Sequence, residues 1–134
     1  MMVSTKGRYA LRIMLDLAQH RQDGFIPLSE ISRRQNVSVK YMEAIVAMLS
    51  RAGMLTSQRG KDGGYCLRHA PDQYTVDAIL RLTEGSIAPV ACVEHSACQQ
   101  ADACLTLPMW QQLDKRIHDY LQSVTLQDLL DGNV

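Results

Sequence analysis

Residues 36–53 constrain the fold most. Asn36 tolerates the left-handed backbone on which helices stop, and Ser38 is a strong N-cap for a new helix. Between Ser38 and Ala52 the apolar residues Met42, Ile45, Val46 and Leu49 fall at i, i+3, i+4 and i+7, one buried stripe, and Gly53 ends it. Just upstream, Pro27 opens a shorter helix with Leu28, Ile31 and Gln35 on one side and Arg33-Arg34 on the other. Two helices joined by so tight a turn, the second freshly capped, form a helix-turn-helix. Downstream come Met54-Leu55-Thr56-Ser57-Gln58, the tip Arg59-Gly60-Lys61-Asp62-Gly63-Gly64, and Tyr65-Cys66-Leu67. Strand, glycine-rich basic tip and strand make a β-hairpin. A helix-turn-helix followed at once by a basic hairpin predicts a winged helix.

The flanks extend this core. Ser4 or Thr5 can cap a first helix on which Tyr9, Ile13 and Leu17 repeat every four residues beside Ala10, Met14 and Ala18, until Asp23-Gly24 breaks it. Beyond Pro71, Thr75 to Thr83 reads as a helix stopped at Gly85, whereas residues 86–104 carry no clear period. A long amphipathic helix starts near Pro108 and runs to about Ser123, with Trp110, Leu113, Ile117 and Tyr120 or Leu121 at alternating three- and four-residue spacing. Such a stripe, placed after a domain that already has a core, is what a dimerisation helix shows, so a homodimer is expected. Thr125 caps a last short helix through Leu129-Leu130, with Asp128 where a capping-box carboxylate belongs. The expected fold class is mainly α with a small β-hairpin. Its divisions are a winged helix-turn-helix in residues 1–85, a cysteine-containing loop in 86–106, and a dimerisation helix with a short terminal helix in 107–134.

Charge sorts the two halves. The chain has 134 residues and no net charge, but residues 1–68 carry 11 basic and 5 acidic side chains, a net +6, and residues 69–134 carry 3 and 9, a net −6. A polyanion-binding N-terminal half follows, unless the halves simply attract one another within the fold. Aromatics make up only 5% of the chain, which disfavours stacking on single strands and leaves a double-stranded DNA operator as the partner. The second helix of the motif enters the major groove with its first residues, here Ser38, Val39, Lys40, Tyr41, Glu43 and Ala44. Ser38 and Tyr41 can bond base or phosphate, Lys40 supplies charge, and Glu43 can accept from cytosine N4. Arg59, flanked by Gly60 and backed by Lys61, suits a narrow minor groove, with the glycines letting the backbone approach. Lys6, Arg8, Arg33 and Arg34 are candidate phosphate contacts. No apolar run approaches the ~20 residues of a membrane span and the N-terminus lacks a signal peptide's apolar core, so a cytoplasmic protein with no membrane partner is expected. No nucleophile–base pair, phosphate loop or carboxylate dyad stands at recognisable spacing, which argues against an enzyme.

Cys92, Cys98 and Cys104 are separated by five residues each. That is wider than zinc spacing and wider than the pairs of bacterial ferredoxins. Three thiolates brought together by one loop suit an iron–sulfur cluster whose fourth ligand is something else. His95 is the nearest suitable group, with Glu94, Asp102, His118 or a residue of a second subunit as alternatives. Cys66, on the hairpin, reads as a core residue. Two other readings stay open: a cluster-free thiol–disulfide switch on the same DNA-binding frame, and an iron–sulfur carrier whose basic half docks an acidic partner.

Taken together, Ser4 to Ala10, Val37 to Glu43, the wing Arg59 to Tyr65 and the three spaced cysteines resemble the bacterial family of iron–sulfur cluster regulators that includes IscR, NsrR, RirA and CymR. The similarity spans essentially the whole chain. It implies a homodimeric winged-helix repressor or activator whose DNA affinity follows the state of a bound cluster. The histidine ligand that cluster regulators carry three residues after the last cysteine is Leu107 here, and the aspartate that nitric-oxide sensors use is Arg8. The resemblance thus leaves both a 2Fe–2S cluster with a substitute ligand and a 4Fe–4S cluster with an open iron.

Overall fold

Four helices begin at a capping hydroxyl, and these caps set the frame. The structure is a computed structural model that describes residues 3–94 and 102–134; His95 and Cys98 lie outside the described residues. Ser4 caps α1 (Thr5–Gln19), Ser38 caps α3 (Val39–Arg51) and Thr75 caps α4 (Val76–Glu84), each side chain accepting a backbone N–H three residues on. Thr125 caps α7 (Leu126–Asp131) in a full capping box with Asp128. Pro27 precedes α2 (Leu28–Gln35), which ends at Asn36 in the left-handed conformation, φ 55° and ψ 49°. The remaining helices are α5 (Ala91–Glu94) and α6 (Leu107–Ser123). The chain is mainly helical, and its two strands, β1 (Leu55–Gln58) and β2 (Gly64–Leu67), form an antiparallel hairpin with Leu55 opposite Leu67. The helix-turn-helix and the wing form where expected. The short α5 was not legible, because four residues cannot display a helical period.

Ile13, Met14 and Leu17 of α1, Ile31 of α2 and Met42, Ile45, Val46 and Leu49 of α3 are all at most 1% exposed and form one core. Leu126 of α7 is fully buried in the same core, so the chain's end returns to the N-terminal helices. Backbone bonds from Val76 N–H to the Val124 carbonyl (2.9 Å) and from Leu126 N–H to the Tyr74 carbonyl (3.0 Å) stitch this return to the start of α4. A smaller cluster of Val76, Leu80, Ile87 and Val124 lies beneath α6. Among the described residues no helix is long and apolar enough to cross a membrane.

Asp16 is buried at 1% exposure, in the last turn of α1. Arg34 donates to it from Nε (3.0 Å) and Nη2 (2.7 Å), and Gln35 Nε2 donates at 2.9 Å, so both residues of α2's last turn are locked to α1. Burial alone would push this carboxyl up. The hydrogen bonds from Arg34 and Gln35, with the positive charges of Arg34 and His20, outweigh it and hold the group below the ordinary carboxylate range. A carboxyl lowered in this way stabilises the fold fully above its unfolded pKa of about 3.9, and the contribution is lost as pH falls through the folded value. Stability should therefore decline below about pH 4. Asp16→Asn should flatten that part of the profile and cost about 2 kcal/mol near neutrality, measured by denaturant unfolding across pH. An unchanged acid profile in the variant would contradict the clamp.

Candidate functional site

The candidate DNA-reading surface begins at the turn between α2 and α3. The Ser38 hydroxyl accepts the Tyr41 N–H at 3.2 Å, which leaves its own proton free to donate outward. Because Met42, Ile45, Val46 and Leu49 turn inward, Ser38, Val39, Lys40, Tyr41, Glu43 and Ala44 all face solvent. Ala47 and Arg51 continue this face toward the helix C-terminus, and the two alanines leave room for close approach to a surface. Arg51 lies beyond the first turns of α3, to which the sequence analysis confined the candidate base contacts.

The wing presents Arg59, Gly60, Lys61 and Asp62, all exposed, on a turn closed by the Gly63 N–H to the Gly60 carbonyl at 3.0 Å. Its base is anchored by Ile26, which exchanges two backbone bonds with Tyr65 at 2.8 and 2.9 Å. The anchor demands glycine at position 64: φ is +156°, and a Cβ there would stand 2.2 Å from the Ile26 carbonyl oxygen. Lys6 is half-buried in the first turn of α1, one turn before Tyr9. Tyr9 meets the Tyr41 ring edge-on at 5.6 Å, which brings this end of α1 beside the first turn of α3. Of the four proposed phosphate contacts, Arg8 and Arg33 are exposed, whereas Arg34 is held by Asp16 and Glu30. Its role in the structure is to fix α2.

At the other end of the chain, Cys92 sits half-buried on α5, which packs on α6. Cys104 lies two residues before Thr106, the cap position of α6, with its Sγ 3.3 Å from the Thr106 hydroxyl. That hydroxyl and the backbone N–H groups of Thr106 and Leu107 hold the Cys104 thiol below its ordinary value. A lowered thiol gives up its proton more readily, and the deprotonated sulfur is what ligates iron, so the donor chemistry at this position fits a cluster. Asp102 is exposed, and among the described residues no group of three His, Cys, Asp or Glu side chains is gathered to hold a metal ion. His118 is engaged elsewhere. Its Nδ1 lies 3.1 Å from Oδ1 of the buried Asp77 and 2.9 Å from Nη2 of Arg81, whose Nε donates to both Asp77 oxygens at 3.0 Å. This cluster joins α4 to α6. Cys66, half-buried on β2, has its thiol pushed up by burial despite the nearby Arg21, which suits packing.

No residue of α6 is buried, and Met109, Leu113 and Tyr120 are 53%, 39% and 56% exposed. The helix therefore offers apolar surface that its own subunit does not cover.

Known proteins place the whole arrangement. The Rrf2 family, described as an iron-dependent transcriptional regulator, matches residues 3–132. The chain is 38% identical over 132 residues to the HTH-type transcriptional regulator IscR of Erwinia tasmaniensis, a match covering 98% of this chain and 80% of that protein. CymR (YrzC), the global cysteine regulator of B. subtilis, has a similar structure with a TM-score of 0.83 at 36% identity, covering 98% of each chain. T. potens IscR follows with a TM-score of 0.79 at 36% identity, covering 100% of this chain and 89% of that one. With a match that runs almost end to end, the chain belongs to the Rrf2 family: it is a winged-helix, DNA-binding transcriptional regulator and not an enzyme.

Proposed function

We propose that the protein works as a homodimer whose grip on duplex operator DNA follows the state of an iron–sulfur cluster held by Cys92, Cys98 and Cys104. The observation that carries this reading is the position of Cys104. Its thiolate-favouring sulfur stands at the start of α6, and α6 is tied to the DNA-binding frame through Asp77 of α4. The similarity to IscR supports the choice of cofactor. When bound, the cluster supplies a centre that responds to iron, oxidants or nitric oxide. His95 is the proposed fourth ligand. The exposed apolar side chains of α6 would pair with those of a second copy, so that residues 1–85 read DNA, 86–106 hold the cluster and 107–134 pair the subunits.

Each structural element then has a task. Ser38, Lys40, Tyr41 and Glu43 read the major groove, Arg59, Gly60 and Lys61 enter the minor groove, and Lys6 meets a phosphate. Cys92 and Cys104, once engaged by the cluster, would shift α6, the Asp77–Arg81–His118 cluster would pass the shift to α4, and α4 packs on both α1 and α3. The spacing of two recognition helices changes as a result. Coupling of this kind has to appear as a difference in operator affinity between the two states.

A thiol switch on the same frame has one observation in its favour, the lowered Cys104 thiol, since a thiolate is also the form that oxidises. Anaerobic purification separates the two readings. The cluster reading requires visible absorbance, iron and sulfide, all lost when the three cysteines become serine. Colourless protein that cannot be reconstituted, and whose DNA binding still changes with oxidant, would favour the switch.

The DNA contacts divide by salt dependence. Arg59→Ala should weaken operator binding on the order of tenfold through lost readout, whereas Lys6→Ala should weaken all duplexes alike and lower the salt slope by about one. Equal losses of specific binding in anisotropy titrations would argue against a wing in the minor groove. For the coupling, His118→Leu removes the polar link between α6 and α4 and keeps the Asp77–Arg81 pair. The affinity difference between cluster-loaded and cluster-free protein should shrink several-fold with iron content unchanged. An undiminished difference would mean that the signal takes another route.

A further inference from the structure

The first turn of α3 reads DNA only if it is held at one angle; the three-residue turn before it, Asn36 to Ser38, is bonded to Ser32 of α2 and to α3 itself, and so ties α3 to α2 but not to α1. Tyr41, in the first turn of α3, is 40% exposed, and its ring stands edge-on to Tyr9 of α1 with centroids 5.6 Å apart and planes at 84°. Above the Tyr9 ring lies the Arg12 guanidinium, 5.1 Å from the centroid. Arg12 in turn donates from Nη2 to the Gln35 carbonyl at 2.6 Å and from Nε to Gln35 Oε1 at 3.0 Å, capping the C-terminal end of α2. Gln35 Nε2 reaches the buried Asp16 at 2.9 Å. An unbroken run of contacts thus leads from the core of α1, through the last residue of α2, back to α1 and across to the recognition helix, bypassing the connecting turn.

We infer that Tyr9 and Arg12 are positioning residues for operator recognition: they hold Tyr41, and with it the first turn of α3, at the angle where Ser38, Lys40 and Tyr41 reach base edges together. The inference rests on the reading of α3 as the DNA-facing helix. Arg12 is exposed on the basic half of the chain, so the rival account is a phosphate contact. The two accounts predict different salt behaviour, because a phosphate contact releases counterions and a positioning contact does not.

Anisotropy titrations of the full-length protein against an operator duplex and a scrambled duplex of the same length, over a range of salt, test it. Arg12→Met should lower the operator-to-scrambled ratio about tenfold and leave the salt slope unchanged. Tyr9→Leu should do the same and Tyr9→Phe should restore the ratio, since the ring and not its hydroxyl makes the contact. The double variant Tyr9→Leu/Tyr41→Leu should lose no more than Tyr41→Leu alone. Should Tyr9→Leu fail to fold by circular dichroism, exposed Arg12→Met still carries the test. Equal weakening of both duplexes with a slope lower by about one overturns the inference, as do additive losses in the double variant. A Tyr41→Leu protein that binds the operator normally would instead sink the reading of α3 itself.

Discussion

Asp16 is the interaction on which the rest of the DNA-binding frame depends. A carboxylate at 1% exposure is costly unless it is fully paired, and here two donors from Arg34 and one from Gln35 satisfy it. Since both partners sit in the last turn of α2, satisfying one charge fixes the angle between α1 and α2, and the turn at Asn36 then directs α3 outward. The apolar core of Ile13, Leu17, Ile31, Met42, Ile45 and Leu49 favours helices packed together in many ways. The buried ion pair selects one register among them, because any other leaves a charge without a partner.

The C-terminal half is organised differently. Among the described residues it reaches the main core through Tyr74, Ile79, Leu82 and α7, where Leu126 is fully buried, while α6 lies across the surface with no buried residue of its own. A helix in that position is held by few contacts, and among the described residues the Asp77–Arg81–His118 cluster is a polar one. Few contacts make a movable element. An apolar stripe left uncovered on the same helix marks it as a surface for association. Cys104 stands at its N-terminal end, so whatever binds that thiol acts on a part of the structure that can shift.

Local chemistry was legible in the amino-acid order, and distant pairing was not. Ser38 as a cap, the stripe Met42 to Leu49, the glycine-rich wing tip and the Thr125–Asp128 capping box each lie within about two helical turns or one hairpin, where spacing alone decides the outcome. The partner of Arg34 lies 18 residues away and that of His118 lies 41 residues away, so charge pattern grouped the first with phosphate contacts and left the second among possible metal ligands. Tyr9 and Arg12 escaped notice for a similar reason: one lies on the buried stripe of α1 and the other reads as one more surface charge. The cysteine spacing pointed to a site, but the chemical form of the Cys104 thiol depends on how Thr106 and the start of α6 are arranged.

The central claim is that two winged-helix heads, paired through α6, read one duplex. Dimethyl sulfate footprinting of an operator bound by the protein, which reports guanine N7 in the major groove and adenine N3 in the minor groove, tests it most directly. Two protected major-groove segments, their centres about one helical turn or a multiple of it apart, each flanked by a protected minor-groove segment, are the predicted result. A single protected segment, or two without the flanking minor-groove protection, would contradict it.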